Sequence, residues 1–168
     1  MNKYNTSGAR FGAALIDGIV FLPIGYLNNY LTDVLSNKAG LLILWTLVLM
    51  CIYQFYTIFL HGKYGQTFGK MAMDVKIVTY PEELPISYFQ AFIRDLPYFF
   101  IYFLQTVILV AIILYPYLAY NSTLSTTLQL LSYAGTIWVL LEIISMLFNE
   151  KRRAIHDFIA KTVVIKTN

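Results

Sequence analysis

Charged residues are scarce in this 168-residue chain, at 12% of the sequence, whereas 58% of its residues are hydrophobic. A soluble domain of this size carries about twice that charged fraction. The sequence therefore excludes an ordinary soluble domain and predicts an integral membrane protein. The formal net charge of +3 is small and spread along the chain, which argues against a nucleic-acid-binding protein.

Cysteine and histidine are also scarce, with one cysteine and two histidines. Cys51 lies inside an apolar run, so a disulfide framework is excluded. His61 and His156 have no cysteine or acid at metal-ligand spacing, apart from Asp157 next to His156, and we expect no metal site. Hydroxyl nucleophiles lack a histidine partner within the membrane and no Walker loop is present, so we expect neither an enzyme nor a cofactor.

Four apolar segments are long enough to cross about 30 Å of hydrocarbon. They cover residues 11–30, 40–60, 98–115 and 128–148. The sequence therefore predicts an all-α integral membrane fold with four transmembrane helices, in a single domain over residues 1–168. An even number of spans places both termini on the same side of the membrane.

The charges between the spans indicate the orientation. Lysine and arginine gather before the first span, in residues 61–97 and in residues 149–168, whereas residues 117–127 carry no charge. Cytoplasmic segments of membrane proteins carry an excess of these residues. We therefore expect both termini and residues 61–97 in the cytoplasm, in a multi-pass protein of the cell (inner) membrane.

The two cytoplasmic segments have predicted structure of their own. Alternating β-branched residues predict strands at 74–79 and 161–166, which can pair and tie the tail to the middle segment. Short helices are expected within 61–71 and 151–160, and an amphipathic surface helix at 87–94. Asp95 is then the expected N-cap of the third span, with Pro97 in its first turn.

Each span contributes one acid or amide at a similar depth, roughly 9 Å from the cytoplasmic surface. These residues are Asp17, Gln54, Gln105 and Glu142. One interpretation is a cation or proton site with Asp17 and Glu142 as exchangeable carboxylates and the two amides as neutral ligands. The other is a structural polar layer, in which Asp17 pairs with Arg10 or Arg94 and the amides hydrogen-bond between helices.

Four motifs follow one another along nearly the whole chain. They are Arg10 with Asp17, GQTFGK at 65–70 followed by VKIV, FIRD at 92–95, and RAIHDFIAKTVV at 153–164. In this order they resemble the RDD family of small multispan membrane proteins, which is named for one arginine and two aspartates. The resemblance places those residues at Arg10, Asp17 and Asp157, and implies a cytoplasmic clasp in which Asp157 meets Arg10 or Arg94. Glu142 lies outside that signature.

The resemblance implies transport, including cation/proton antiport, or a role beside larger membrane complexes. We expect a transporter of cations or small solutes coupled to protons, with Na⁺, K⁺, Li⁺ or H⁺ as candidate ions. The alternative is a non-enzymatic scaffold, or an assembly or quality-control partner. Besides the lipid bilayer, we expect a homo-oligomer or a membrane-protein partner, because four helices enclose little volume.

Overall fold

A computed structural model describes residues 3–81 and 83–167. Within these residues, the long helices are α1 (Ser7–Val34), α2 (Ala39–Tyr64), α4 (Tyr88–Leu114) and α5 (Ser122–Leu147). The short elements are helices α3 (Phe68–Ala72) and α6 (Ile155–Ile159), a 3₁₀ helix (Pro116–Tyr120), and strands β1 (Val75–Thr79) and β2 (Thr162–Lys166).

The four predicted spans are confirmed, since each of the long helices is long and apolar enough to cross a membrane. In the most apolar 18-residue window of each helix, only 6–11% of the residues are buried within the chain. Many large apolar side chains of these helices are exposed on the outside of the bundle, and removing them from water requires hydrocarbon. The protein is therefore a multi-pass membrane protein whose helices contact the lipid bilayer.

The two predicted strands pair with each other, as expected. β1 and β2 are antiparallel, with Ile77 opposite Val164. Both residues are buried in a small core with Val75, Ile86 and Ala91. A lone two-stranded sheet is marginal, and here this core joins it to the first turn of α4. We refer to the end of the bundle that carries the sheet as the sheet end.

The third span differs from the prediction at its start, because α4 begins at Tyr88 instead of residue 98. Ser87, and not Asp95, is the N-cap: its hydroxyl accepts from the Gln90 N–H, and the Gln90 side chain accepts from the Ser87 N–H. The predicted surface helix at 87–94 is thus the first part of a continuous helix. Pro97 lies inside this helix, which membrane helices tolerate better than soluble ones.

Candidate functional site

Asp157 is the centre of a charged cluster at the sheet end. Its side chain is completely buried. Oδ2 accepts a hydrogen bond from Nη1 of Arg10 at 2.7 Å, and Oδ1 lies 2.8 Å from Nη1 of Arg94. The Ala154 N–H donates to Oδ2 at 2.9 Å and the Thr162 hydroxyl donates to Oδ1 at 3.2 Å. Each carboxylate oxygen thus has one cation and one neutral donor.

The charge of Asp157 is fixed by its two arginines. Burial alone would raise the pKa of this carboxyl, but Arg10 and Arg94 outweigh burial and hold the pKa well below its ordinary range. Arg10 lies in the first turn of α1 and Arg94 in the second turn of α4, whereas Asp157 lies on α6. One ionised carboxylate therefore joins two membrane helices to the tail.

His156 lies beside this ion pair and is held in one tautomer. Its Nε2 is 3.1 Å from Nη2 of Arg10 and 2.8 Å from Nη2 of Arg94. Guanidinium nitrogens only donate hydrogen bonds, so Nε2 must accept and the ring proton lies on Nδ1. Burial, together with the positive charge of Arg94 and Arg10, lowers the pKa of His156, although Asp157 and Glu142 oppose this shift. His156 is therefore neutral at pH 7.

Glu142 contacts the other side of His156. It lies on α5 and is 8% exposed. Oε2 of Glu142 is 2.7 Å from Nδ1 of His156, and Oε1 accepts from the His156 backbone N–H at 3.1 Å. Both carboxylate oxygens thus face one residue of the tail. The cluster contains two arginines, two carboxylates and a neutral histidine, so its formal charges balance.

Asp17 belongs to a separate centre on the same side of the bundle. Its carboxylate accepts from the Tyr56 hydroxyl at 2.7 Å, the Thr67 hydroxyl at 2.7 Å and the Gly69 N–H at 2.8 Å. Two of these donors, Thr67 and Gly69, are at the start of α3. Asp17 therefore binds the GQTFGK segment to α1, and in the described residues it has no ion pair with Arg10 or Arg94.

Gly69 permits this close approach between α3 and α1. A Cβ at this position would overlap the backbone carbonyl of Ala13 and approach Cγ of Asp17. Gly65 has a different requirement, because its φ of +72° ends α2 in the left-handed conformation. The two glycines of the motif thus shape the loop that Asp17 binds.

The four residues of the polar layer predicted from depth do not form one connected cluster. Asp17, Gln54, Gln105 and Glu142 form no hydrogen bond with one another in the part of the chain that the structure describes. Gln105 donates to the Ser132 hydroxyl at 3.2 Å, which joins α4 to α5. Gln54 is buried on α2. By contrast, Asp157 contacts both Arg10 and Arg94, as the family resemblance implies.

A second pair, the partly buried Lys70 with the buried His61, does not stand out in the sequence. Nζ of Lys70 lies 3.0 Å from Nε2 of His61. Burial, with Arg94 and Arg10 nearby, lowers the pKa of Lys70 to about 8. In the sequence, His61 follows Gln54 and Thr57 at helical spacing, which places the three on one face of α2. This spacing is the sequence feature that could have indicated a polar partner for His61. No group of three metal-ligating side chains occurs among the described residues.

Arg153 ties the strand of the tail to its helix. Its Nε donates to the Thr162 carbonyl at 2.9 Å and its Nη2 to the Asp157 carbonyl at 3.0 Å. Its guanidinium also lies 4.3 Å from the ring centre of Tyr80 and 4.2 Å from that of Phe158. A residue of the basic run 151–153 is thus part of the folded cap.

The family model described as the RDD family matches residues 4–161. No curated protein and no solved structure matches the chain. The matched range covers nearly the whole chain and includes the Asp17 centre and all five residues of the cluster around Asp157.

Replacing Asp157 with alanine should release the tail. The change leaves two buried arginines without their carboxylate, and removing one partner of a buried ion pair costs about 3–5 kcal/mol. We expect Asp157→Ala to expose residues 150–167 to trypsin in detergent-solubilised protein. Limited proteolysis followed by mass spectrometry measures this.

The matched control is Glu83→Gln. Glu83 pairs with Lys3 at 2.8 Å, but the Lys3 side chain is 51% exposed, so its loss should change tail protection little. A tail as protected in Asp157→Ala as in the wild type would contradict the proposed clasp.

The neutral His156 should make the cluster sensitive to mild acid. The unfolded chain binds a proton at a histidine below about pH 6.5. In the folded state the pKa of His156 is lowered, so the proton binds only at lower pH. The free energy of unfolding should therefore fall by up to about 2 kcal/mol between pH 7 and pH 5. Asp157 does not contribute to this fall. The unfolded chain begins to protonate this carboxyl only below about pH 4, and the folded chain does so at still lower pH because its pKa is lowered.

Thermal unfolding in detergent, followed between pH 5 and pH 7.5, measures this fall. His156→Gln keeps an acceptor oxygen for the two arginines but does not titrate, so its stability should change less over the same range. Equal pH dependence in the two proteins would show that His156 is not the group responsible.

Proposed function

The chain belongs to the RDD family, and from that premise we propose that it is a non-enzymatic carrier of cations or small solutes that exchanges its substrate for protons. Na⁺, K⁺ and Li⁺ are the proposed cations. Glu142 is the proposed exchangeable carboxylate, with His156 as the group through which it communicates with water at the sheet end.

The contact between Glu142 and His156 carries this proposal. Glu142 lies on an apolar membrane helix, and its side chain is only 11% exposed. The side chain of His156 is 22% exposed, so one member of the pair reaches the surface. A carboxylate in contact with a neutral imidazole is an arrangement suited to proton transfer at physiological pH.

Asp17 is the weaker candidate for ion exchange, because three hydrogen-bond donors already occupy its oxygens. A cation at Asp17 would compete for the carboxylate with the two donors at the start of α3, because three of its roughly four acceptor positions are already occupied. We therefore assign Asp17 to the attachment of α3. Gln54 and Gln105 stay in the proposal as neutral ligands on α2 and α4, along the apolar part of the bundle.

A non-enzymatic scaffold, or an assembly or quality-control partner of a membrane complex, is the second candidate. The observation that favours it is that Asp17, Glu142 and Asp157 all have close partners within the chain, as a purely structural role requires. The outward apolar side chains of the four helices would then bind another membrane protein or a second copy of the chain.

We further propose that the sheet end faces the cytoplasm across the cell (inner) membrane. The sheet end includes Lys63, Lys70 and the basic run 151–153, whereas the opposite end has Lys38 and Asp33. This distribution of lysine and arginine is typical of cytoplasmic segments.

Cation pulses applied to proteoliposomes should reveal the exchange. With a pH indicator inside the vesicles, we expect Na⁺, K⁺ or Li⁺ added outside to drive proton movement in the wild type. Glu142→Gln should reduce this flux to the level of empty vesicles, because the amide cannot exchange a proton.

Glu150→Gln is the control, since Glu150 is exposed and should leave the flux unchanged. Gel filtration checks that each variant is folded. A silent wild type with all three cations would overturn the carrier proposal and favour the scaffold. Flux that persists in folded Glu142→Gln would remove Glu142 from the mechanism.

The orientation is measured by labelling single cysteines in a Cys51→Ala background. We expect Tyr120→Cys, at a position 93% exposed at the end opposite the sheet, to react in intact cells with a membrane-impermeant maleimide. Thr167→Cys should react only after the cells are opened. The reverse pattern would place the sheet end outside.

A further inference from the structure

Four buried side-chain atoms on the facing helices α2 and α4 have no hydrogen-bond partner in the described part of the chain. They are Oε1 of Gln54, Nδ1 of His61, Nε of Arg94 and Oδ2 of Asp95. Gln54, His61 and Arg94 are only 6%, 4% and 5% exposed. A buried polar atom without a partner costs about 1–3 kcal/mol, so four such atoms together indicate a bound partner.

The register of the two helices brings these atoms to neighbouring levels. Gly62, near the end of α2, faces the ring of Tyr88 at the start of α4, and a Cβ on Gly62 would overlap that ring. The helices run in opposite directions from this contact with the same rise per residue. Gln54, eight residues before Gly62, is therefore level with the residue eight after Tyr88, which adjoins Asp95.

The backbone of Arg94 is six residues, or about 9 Å, along α4 from the level of Gly62, and its side chain reduces this distance. Side chains on a helix point towards its N-terminus, and the N-terminus of α4 is at the level of Gly62. The long Arg94 side chain thus extends towards His61.

The chemistry of the four atoms is complementary. Nζ of Lys70 lies 3.0 Å from Nε2 of His61, and an ammonium group only donates, so the ring proton of His61 lies on Nδ1. Nδ1 of His61 and Nε of Arg94 are then two donors. The oxygens of Gln54 and Asp95 are two acceptors.

We propose that the interface between α2 and α4 binds ordered water that joins these two donors to the two acceptors. A water molecule accepts two hydrogen bonds and donates two, and buried waters commonly bridge polar groups of this kind. A cation would face the two donors, and an anion would face the two acceptors. Water is the small ligand that satisfies both sets.

This site extends the polar groups of the sheet end into the apolar part of α2. Gln54 and His61 are seven residues apart, which is roughly 10 Å along a helix. Bound water over this distance gives a continuous hydrogen-bonded row from Lys70 through His61 to Gln54. The inference concerns hydration alone and does not rest on the transport proposal.

Solid-state NMR of the full chain in lipid bilayers, with ¹⁵N-labelled histidine, tests the site. The chain has two histidines, and a correlation with the Glu142 carboxyl carbon assigns His156. We expect His61 to be protonated on Nδ1, and this proton to receive magnetisation from water. His156 is the internal comparison, because its Nδ1 faces Glu142 at 2.7 Å.

Gln54→Leu removes one acceptor of the site and should abolish or weaken the water signal at His61, whereas the exposed Gln129→Leu should leave it unchanged. Protonation of His61 on Nε2, or no transfer from water to Nδ1–H in the wild type, would overturn the proposal. So would an undiminished water signal in Gln54→Leu.

Discussion

The burial of one carboxylate, that of Asp157, constrains the whole sheet end. A charged group without solvent must be compensated by charges and hydrogen bonds, or the free energy of its desolvation opposes folding. Here the compensation comes from Arg10 and Arg94, which lie on two membrane helices far apart in sequence. The requirement to neutralise Asp157 therefore fixes where the tail folds and how the first turn of α1 and the second turn of α4 are placed. The same two guanidiniums force His156 to be a neutral acceptor, which leaves its ring proton on Nδ1, 2.7 Å from Oε2 of Glu142.

Three carboxylates at this end share one mode of action. Asp17 accepts from the Gly69 N–H, Glu142 from the His156 N–H and Asp157 from the Ala154 N–H. Each acid thus binds a backbone donor at or near the start of a short helix, where N–H groups lack helical partners. The short helices α3 and α6 have only five residues each and are too short to be stable alone. The acids that look like an ion site in the sequence also hold these helices against the bundle.

The spans and strands were predictable from sequence because local periodicity and hydropathy determine them. The start of α4 was predicted wrongly because Pro97 suggested a helix start, whereas the capping box of Ser87 and Gln90 begins the helix earlier. Depth along a helix selected two buried side chains, Gln54 and Glu142, and two half-buried ones, Asp17 and Gln105, but it contains no information about rotation or partners. Asp17 consequently binds the 65–70 loop, a contact that spacing alone does not predict. Asp157 was identified from the family signature, because the signature groups it with Arg10, a residue far away in the sequence.

The structure also limits how a carrier could use Glu142. Both of its oxygens face His156, one towards the ring and one towards the backbone N–H. A cation that coordinates Glu142 must therefore compete with His156 for the same oxygens. His156 and Asp157 are neighbours on α6. Loss of the contact with Glu142 would release α6 at His156, whereas the two arginines would still hold it at Asp157. Ion binding at Glu142 would in this way be coupled to the position of the tail, and the strength of the Asp157 ion pair would determine how far the tail can move.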